Sequence, residues 1–395
     1  MKKHPSPGER ATFLTPIRNL KMARSAHAYV RGSTVEFYEW LNRGPKIPKG
    51  PSVWICGDCH MSNLGPVSNA DGRVEIQIRD LDQTVIGNPA HDLIRLALSL
   101  ASAARGSDLP GATTARILEK MMQGYEYSLG SKTKRLEPQP EAIQAILKRA
   151  VRRRWRQLAE ERIEDVRPTI PRGDRFWHLS REESVELSKL FDLKDVRHLV
   201  TSLRGRDQDA HVELVDAAYW VKGCSSLGRL RYVALVGVGK KLRPKHFCLI
   251  DIKEATAAAA PRDTKARMPT NNGERVVAGA RALSPNLGDR MLPLQLIGKN
   301  VVLRELLPQD IKLDLETLSR DDASLIAGYL ASVVGAAHGR QMDSAMKRSW
   351  LAELKRNRPK TLDAPSWLWS CVTELIASHE VAYLEHCRRH ALTAA

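Results

Sequence analysis

Residues 57–63 read Gly-Asp-Cys-His-Met-Ser-Asn, and Asp80 follows seventeen positions beyond Asn63, in Arg79-Asp-Leu-Asp82. A carboxylate, an amide five residues later and a second carboxylate further on are the groups that phosphoryl transfer to a hydroxyl requires. Asp58 would accept the proton of the attacking hydroxyl, while Asn63 and Asp80 would supply oxygens to the Mg²⁺ that holds nucleotide phosphates. Such loops need rigid supports. The apolar Val53-Trp54-Ile55 and the alternating Val74-Glu-Ile-Gln-Ile78 predict short strands on either side of Asn63.

The interval from Asp58 to Asn63 equals that between the Asp and Asn of the kinase catalytic loop, H-R-D-x-x-x-x-N. The same segment also matches the C-x-x-C-H haem attachment pattern, as Cys56-Gly-Asp-Cys59-His60. Covalent haem goes with export, and the polar start Met1-Lys-Lys-His-Pro-Ser-Pro-Gly-Glu-Arg10 offers no apolar signal core, which disfavours haem. Zinc lacks a second Cys/His pair at ligand spacing. Cys224, Cys248, Cys371 and Cys387 are scattered, so six reduced thiols in a cytoplasmic protein are expected.

A second constellation lies far along the chain. Tyr219-Trp-Val-Lys-Gly-Cys-Ser-Ser-Leu-Gly228 is an apolar strand opening into a loop, with Ser225 and Ser226 between Gly223 and Gly228. Another strand follows from Leu230. Strand, glycine loop, strand is how kinases cover nucleotide phosphates, whereas a P-loop would enter a helix and carry Lys-Ser/Thr. The glycines allow backbone N–H groups to approach the phosphates closely. A further strand, ending in Leu249-Ile-Asp-Ile-Lys253, places an ammonium where α- and β-phosphates pair. Taken alone, the loop reads as an ordinary hairpin and Lys253 as a solvated side chain. They gain meaning beside Asp58, Asn63 and Asp80. The lysine wants an acidic partner from the next helix, and Glu274 is the best-placed residue. It fits equally as a charge favoured at a helix N-terminus.

With 395 residues the chain predicts two lobes or domains. Apolar residues make up 43% and charged residues 27%, ordinary for a soluble globular protein, and no apolar stretch is long enough to span a bilayer. The net charge of +17 attracts anions, nucleotide phosphates or nucleic acid among them. The basic run Lys148–Arg156 falls in a predicted helix Glu141–Ile163, where a solvated charged face competes with a nucleic-acid arm. Aromatic residues are 5% of the chain and just Trp155 interrupts the run, so a base-stacking platform is poorly supported.

Hydrophobic periodicity predicts helices over Thr34–Leu41, Pro89–Ala104, Thr113–Ser128, Ala323–His338 and Ser366–His386. It predicts strands over Leu230–Val238, Phe247–Ile252, Leu292–Ile297 and Val301–Leu306. Three segments follow: 1–210, helical with the catalytic and metal loops and, after the basic helix, a polar stretch to about Asp209; 211–308, strand-rich and covering the nucleotide; and 309–395, helical again. The catalytic loop precedes the nucleotide-covering block, the reverse of kinase order. Circular permutation reconciles the two, since catalysis depends on contacts in space rather than order in the chain. The helix Ala323–His338 would then pack beside the catalytic loop.

These pieces resemble the bacterial domain-of-unknown-function family 2252. The matching motifs are Lys21-Met-Ala-Arg-Ser, Tyr29-Val-Arg-Gly32, Gly57–Gly65, Arg79-Asp-Leu-Asp82, His91–Ala97, Gly223–Gly228 with Arg231-Tyr232, and Ile252-Lys-Glu-Ala255. Arg275-Val-Val-Ala-Gly, Leu303-Arg-Glu-Leu306 and Ala337-His-Gly-Arg340 complete the set. That family is similar in turn to the aminoglycoside and choline kinases, whose G-D-x-H-x-x-N loop is matched by Gly57–Asn63. The resemblance implies Asp58 as base, Asn63 and Asp80 as metal ligands with Asp82 as a second carboxylate, and Lys253 on phosphate. It also implies Asp92 and His60 as braces of the loop, His60 with a direct chemical role as the lesser alternative, and Arg304 and Glu305 among the nucleotide-binding residues.

The reading is an α+β, protein-kinase-like two-lobe fold, circularly permuted, with an antiparallel small lobe and a mainly helical large lobe. Its expected function is ATP- and Mg²⁺-dependent phosphoryl transfer to a hydroxyl, more readily of a small molecule than of a protein. Nucleotidyl transfer onto protein and a non-catalytic nucleotide- or nucleic-acid-binding module are the alternatives.

Overall fold

The computed structural model describes residues 4–106, 109–130, 136–153, 169–202, 206–239, 247–310, 320–356 and 364–392. Helices and antiparallel sheets are mixed in an α+β chain. Helices α1 (Arg10–Met22), α2 (Ala26–Gly32) and α3 (Thr34–Asn42) lead into β1 (Val53–Ile55), which pairs antiparallel with β4 (Val85–Gly87). Between these two strands lie a 3₁₀ turn at Met61–Asn63 and the hairpin of β2 (Leu64–Ser68) with β3 (Val74–Ile78). Both loops that carry the candidate carboxylates are thus anchored at each end by paired strands. Helices α4 (Ala90–Gly106), α5 (Gly111–Gly130) and α6 (Glu141–Arg152) follow.

The larger sheet has six antiparallel strands in the order β5-β6-β7-β8-β10-β9. They are β5 (Phe176–Trp177), β6 (Val212–Trp220), β7 (Arg231–Val238), β8 (Phe247–Glu254), β9 (Met291–Leu296) and β10 (Lys299–Leu306). Helices α7 (Arg181–Asp192) and α8 (Lys194–Thr201) stand between β5 and β6, and α9 (Asn272–Leu283) and α10 (Pro285–Gly288) between β8 and β9. Helices α11 (Arg320–Gly339), α12 (Ser344–Lys355) and α13 (Ser366–His390) close the described chain.

Strand alternation divides the chemistry of the sheet. On β8, Cys248, Ile250 and Ile252 pack with Leu187, Phe191, Val200 and Leu303 on one face. On the other face Asp251 and Lys253 stand beside Arg231 and Arg304, with Arg231 paired across from Lys253 and Arg304 across from Asp251. The charged face looks toward the carboxylate loops.

Three expectations are corrected. Strand β8 runs two residues past Ile252, because Lys253 and Glu254 pair with Val302 and Val301 of β10, so Lys253 sits on the strand itself. Helix α6 stops at Arg152, where Arg153 turns extended at φ −72° and ψ 129°; Trp155, Arg156 and the rest of the predicted helix lie outside the described residues. The stretch before residue 210 was read as polar and grouped with the helical part. Instead Leu187, Leu190, Phe191, Val196 and Leu199, at helical spacing, cover the six-stranded sheet, with a Ser180–Glu183 capping box starting α7. Among the described residues no helix is long and apolar enough to cross a membrane.

Candidate active site

Asp58 follows Gly57, whose φ of +75° is left-handed; a Cβ there would come within 2.1 Å of the Gln83 carbonyl oxygen, so glycine is required. The loop is fixed from beneath by Asp92 on α4. Its Oδ2 accepts the Cys56 N–H at 2.7 Å and its Oδ1 the Gly57 N–H at 2.9 Å. The Tyr38 hydroxyl donates to the Gly57 carbonyl at 2.5 Å. Asp92 is fully buried and also meets His338 Nε2 at 3.1 Å. His338 Nδ1 lies 3.0 Å from the Tyr125 hydroxyl, which accepts from Trp350 Nε1 at 3.1 Å. One tautomer satisfies the whole relay: Trp350 donates to Tyr125, Tyr125 to His338 Nδ1, and His338 Nε2–H to Asp92. Helix α11 thus reaches the loop of Asp58 through Asp92, by way of His338.

The Asp58 carboxylate accepts from Arg95 Nε at 2.9 Å, and this guanidinium is wholly buried. Arg95 in turn donates to the Val30 carbonyl, tying α2 to Asp58. His60 Nε2 stands 3.8 Å from Asp58, too far for a hydrogen bond. Burial, opposed by Asp58 and reinforced by the cations Arg95 and Arg31, lowers the His60 pKa to about 4. It is neutral near pH 7, and its buried Nδ1 has no hydrogen-bond partner, so the expected brace within the loop is not made.

Asn63 donates its side-chain N–H to the Asp58 carbonyl at 2.9 Å, so its Oδ1 is the atom left for the cleft. Lys253 reaches across from β8 to the loop of Asp80 and Asp82. Its Nζ lies 3.2 Å from Asp80 Oδ1 and 3.3 Å from Oδ2, and it is also ion-paired with Asp82. Burial raises the Asp80 carboxyl, but Lys253, then Arg304 and Arg231, outweigh it and hold the pKa well below the usual carboxylate range. Burial and the adjoining Asp80 charge push Asp82 the other way. The carboxylates already hold one cation between them, the lysine ammonium. Two carboxylates and an amide oxygen also suit Mg²⁺, which binds few protein oxygens and completes its shell with phosphates and water. Among the described residues no group of three His, Cys, Asp or Glu is gathered for a metal.

The glycine loop lies between β6 and β7, with Gly223 at φ +105° and Gly228 at φ +94°. Gly228 is pressed against α1: a Cβ would stand 2.9 Å from Ala11 Cα. Asp58, Asn63, Asp80, Asp82 and Ser225 line one cleft of about 420 Å³. Ser226 instead folds toward Gly223.

Across residues 10–389 the sequence matches a family described as an uncharacterized protein conserved in bacteria, DUF2252. The chain belongs to the DUF2252 family. No curated protein and no solved structure matches it. The DUF2252 match spans both the loop of Asp58 and the strand of Lys253.

Two expected site residues lie elsewhere. Glu274 is exposed at the start of α9, where its N–H donates to the Asn271 cap; the lysine's acidic partners are Asp80 and Asp82. Glu305 points to the opposite face of β10 from Arg304, because adjacent strand residues alternate. There it is buried in a two-bond pair with Arg206, both bonds 2.7 Å. Arg304 stays on the site's face, donating to the Arg79 carbonyl at 3.2 Å and to Asp251 at 3.3 Å. Sequence reasoning missed Arg95, Arg275 and Tyr125. Arg275 donates to the carbonyls of Thr84, Asp82 and Thr256, locking the loop of Asp80 to α9. Arg95 and Arg275 sat within quoted motifs, but nothing in their types told buried struts from surface charges.

Proposed function

We propose that this DUF2252 chain is an ATP- and Mg²⁺-dependent phosphotransferase with a protein-kinase-like, circularly permuted arrangement, acting on a hydroxyl of a small molecule. The observation that carries the reading is the meeting of Lys253 with Asp80 and Asp82, 173 positions from Asp80 in sequence, in contact with the cleft that contains Asp58 and Asn63. The order of parts around the sheet supports it: glycine loop between two strands, lysine on the third, then a helix, as kinases deploy them.

In this reading Asn63, Asp80 and Asp82 hold Mg²⁺, which would neutralise charge on the transferring phosphoryl group. Lys253 turns from the carboxylates to the α- and β-phosphates, and the N–H groups of Gly223–Gly228 cover them. Asp58 orients the acceptor hydroxyl and takes its proton as the new oxygen–phosphorus bond forms and the bond from the γ-phosphorus to the bridging oxygen breaks, releasing ADP. Arg95, donating to the Asp58 carboxylate at 2.9 Å, keeps it aimed.

Labelled ATP tests the reading. Transfer of label from the γ position to a hydroxyl compound, abolished in Asp80→Ala together with Mg-nucleotide binding, is expected. Transfer from the α position would establish nucleotidyl transfer instead, and tight ATP binding without turnover across a broad hydroxyl library would establish a binding module.

A further inference from the structure

The motifs Lys21-Met-Ala-Arg-Ser and Tyr29-Val-Arg-Gly32 have no part in the chemistry above, yet they frame the same cleft. Arg18, Asn19, Met22 and Gly32 line its wall, joined by His386 and His390 from the end of α13. His386 Nε2 meets the Asn19 carbonyl at 2.8 Å and His390 meets the Asn19 side chain at 3.4 Å, docking α13 onto α1. Arg18 lines this wall, and Lys21 and Arg31, next in sequence to the lining residues Met22 and Gly32, add positive charge beside it. Among the described residues, Arg18, Lys21 and Arg31 have no carboxylate within ion-pair distance. The hydrogen bond of Lys21 goes to the Gly223 carbonyl at 3.5 Å. Glu36, exposed on α3, lines the cleft as do Asp58, Asp80 and Asp82, and none of these acids is ion-paired with the three cations.

Two buried polar atoms behind this wall, Arg31 Nε and His27 Nδ1, have no hydrogen-bond partner. Buried polar atoms are ordinarily satisfied, and a site completed by its ligand is one reason for an exception. The three cations act at one place. Burial raises the Cys224 thiol pKa, and the charges of Arg31, Lys21 and Arg18 oppose that rise together.

We infer that this wall is the acceptor subsite, and that Arg18, Lys21 and Arg31 bind an oxyanion group, phosphate or carboxylate, carried by the hydroxyl compound itself. The inference rests on the phosphotransferase reading for the word acceptor and deepens it by naming the substrate class. A neutral sugar or amino alcohol would leave three cations desolvated without a counter-charge. An anionic one neutralises them and fixes its hydroxyl relative to Asp58.

Two measurements test it. The first needs no catalysis: inorganic phosphate is titrated into the full chain already saturated with a non-hydrolysable ATP analogue, and the His27 imidazole is followed by NMR. Burial and the nearby Arg31 and Arg95 hold its pKa at about 4, so a phosphate bound beside it should raise that value. The upward shift is expected in the wild type and should be lost in Arg31→Gln; Arg18→Gln, on a less enclosed side chain, gives the same comparison should Arg31→Gln fail to fold. No phosphate-dependent shift in the wild type overturns the inference, whatever the protein does with ATP.

The second compares matched acceptors: glycerol, glycerol 3-phosphate and glycerate; ribose and ribose 5-phosphate. Charged members should be phosphorylated with kcat/KM at least about tenfold above their neutral partners, and Arg31→Gln should raise their KM about ten- to a hundredfold. Phosphate and carboxylate members separate the two sources of the oxyanion. Equal use of neutral compounds overturns the inference. Phosphate binding with no transfer to any compound would keep the anion subsite and remove the phosphotransferase reading.

Discussion

The two sides of the cleft are built differently. On the Asp58 side the backbone is pinned by groups from the interior: Asp92 receives two N–H groups, Tyr38 donates to Gly57, and Arg95 clamps the carboxylate while itself fully buried. On the Lys253 side the contacts are electrostatic and open to water. The Asp80 side chain is 47% exposed, and the lysine is shared between two carboxylates. Buried, mutually satisfied polar groups hold one geometry, whereas partly solvated ion pairs exchange partners at little cost. In the proposed phosphotransferase, the carboxylate to be aimed is held rigidly, and the groups that would receive a charged ligand are free to rearrange.

The largest effect should come from the aimed group. Asp58→Asn is expected to lower kcat about 10²–10⁴-fold with nucleotide affinity retained, and a wild-type rate in a single-turnover assay would remove Asp58 from the chemistry. Next is a contrast in stability. Asp92→Ala strands two N–H groups and His338, and should cost about 3 kcal/mol or more in urea unfolding. Lys253→Met should cost no more than about 1 kcal/mol while weakening Mg-ATP binding. Equal losses from the two variants would erase the difference between the sides.

Acid should probe the pinned side through its histidines. Burial comes first in lowering His60, His27, His91 and His379 to about 4 from the ordinary 6.5. As pH falls through 6.5 the unfolded chain takes up protons that the folded one refuses, so stability drops between 6.5 and 4 and levels below. Each imidazole contributes a slope of up to about 1.4 kcal/mol per pH unit. Unfolding free energies of His60→Asn measured across that window should show the slope reduced by one such increment; an unchanged slope would place His60 in water. Asp80, held low by Lys253, acts in a separate window: its contribution is present above its unfolded value near 4 and lost on further acidification. A modest change should follow Gly228→Ala, about 1–2 kcal/mol from its positive φ and the contact with Ala11. Thermal unfolding would show it, and a loss as large as that of Asp92→Ala would mean the glycine loop is as firmly held as the catalytic loop.

Much of this was legible before coordinates. The strands around Asn63 and those of the large sheet announce themselves by alternation and by β-branched residues, and Asp58, Asn63, Asp80 and Lys253 by type and interval. Glu305 was misplaced because a motif groups neighbours that a pleat sends to opposite faces. Glu274 was misplaced because distance along the chain does not report which acid stands nearest a lysine; Asp80 and Asp82 are remote in sequence and adjacent in space. The stretch before residue 210 looked polar because α7 and α8 show apolar residues on one face alone, and that face is the one the sheet covers. Arg95, Arg275 and His338 act through burial, which single residue types do not disclose.

The separation of Lys253 from Asp80 has a consequence during synthesis. At about 5–20 residues per second, the ribosome extrudes the two acidic side chains roughly 10–35 s before their basic counterpart emerges. For that interval the nascent polypeptide carries an anionic loop with nothing to neutralise it. Closure of the pocket is therefore a late, long-range event, and a translation product ending before β8 would lack it altogether.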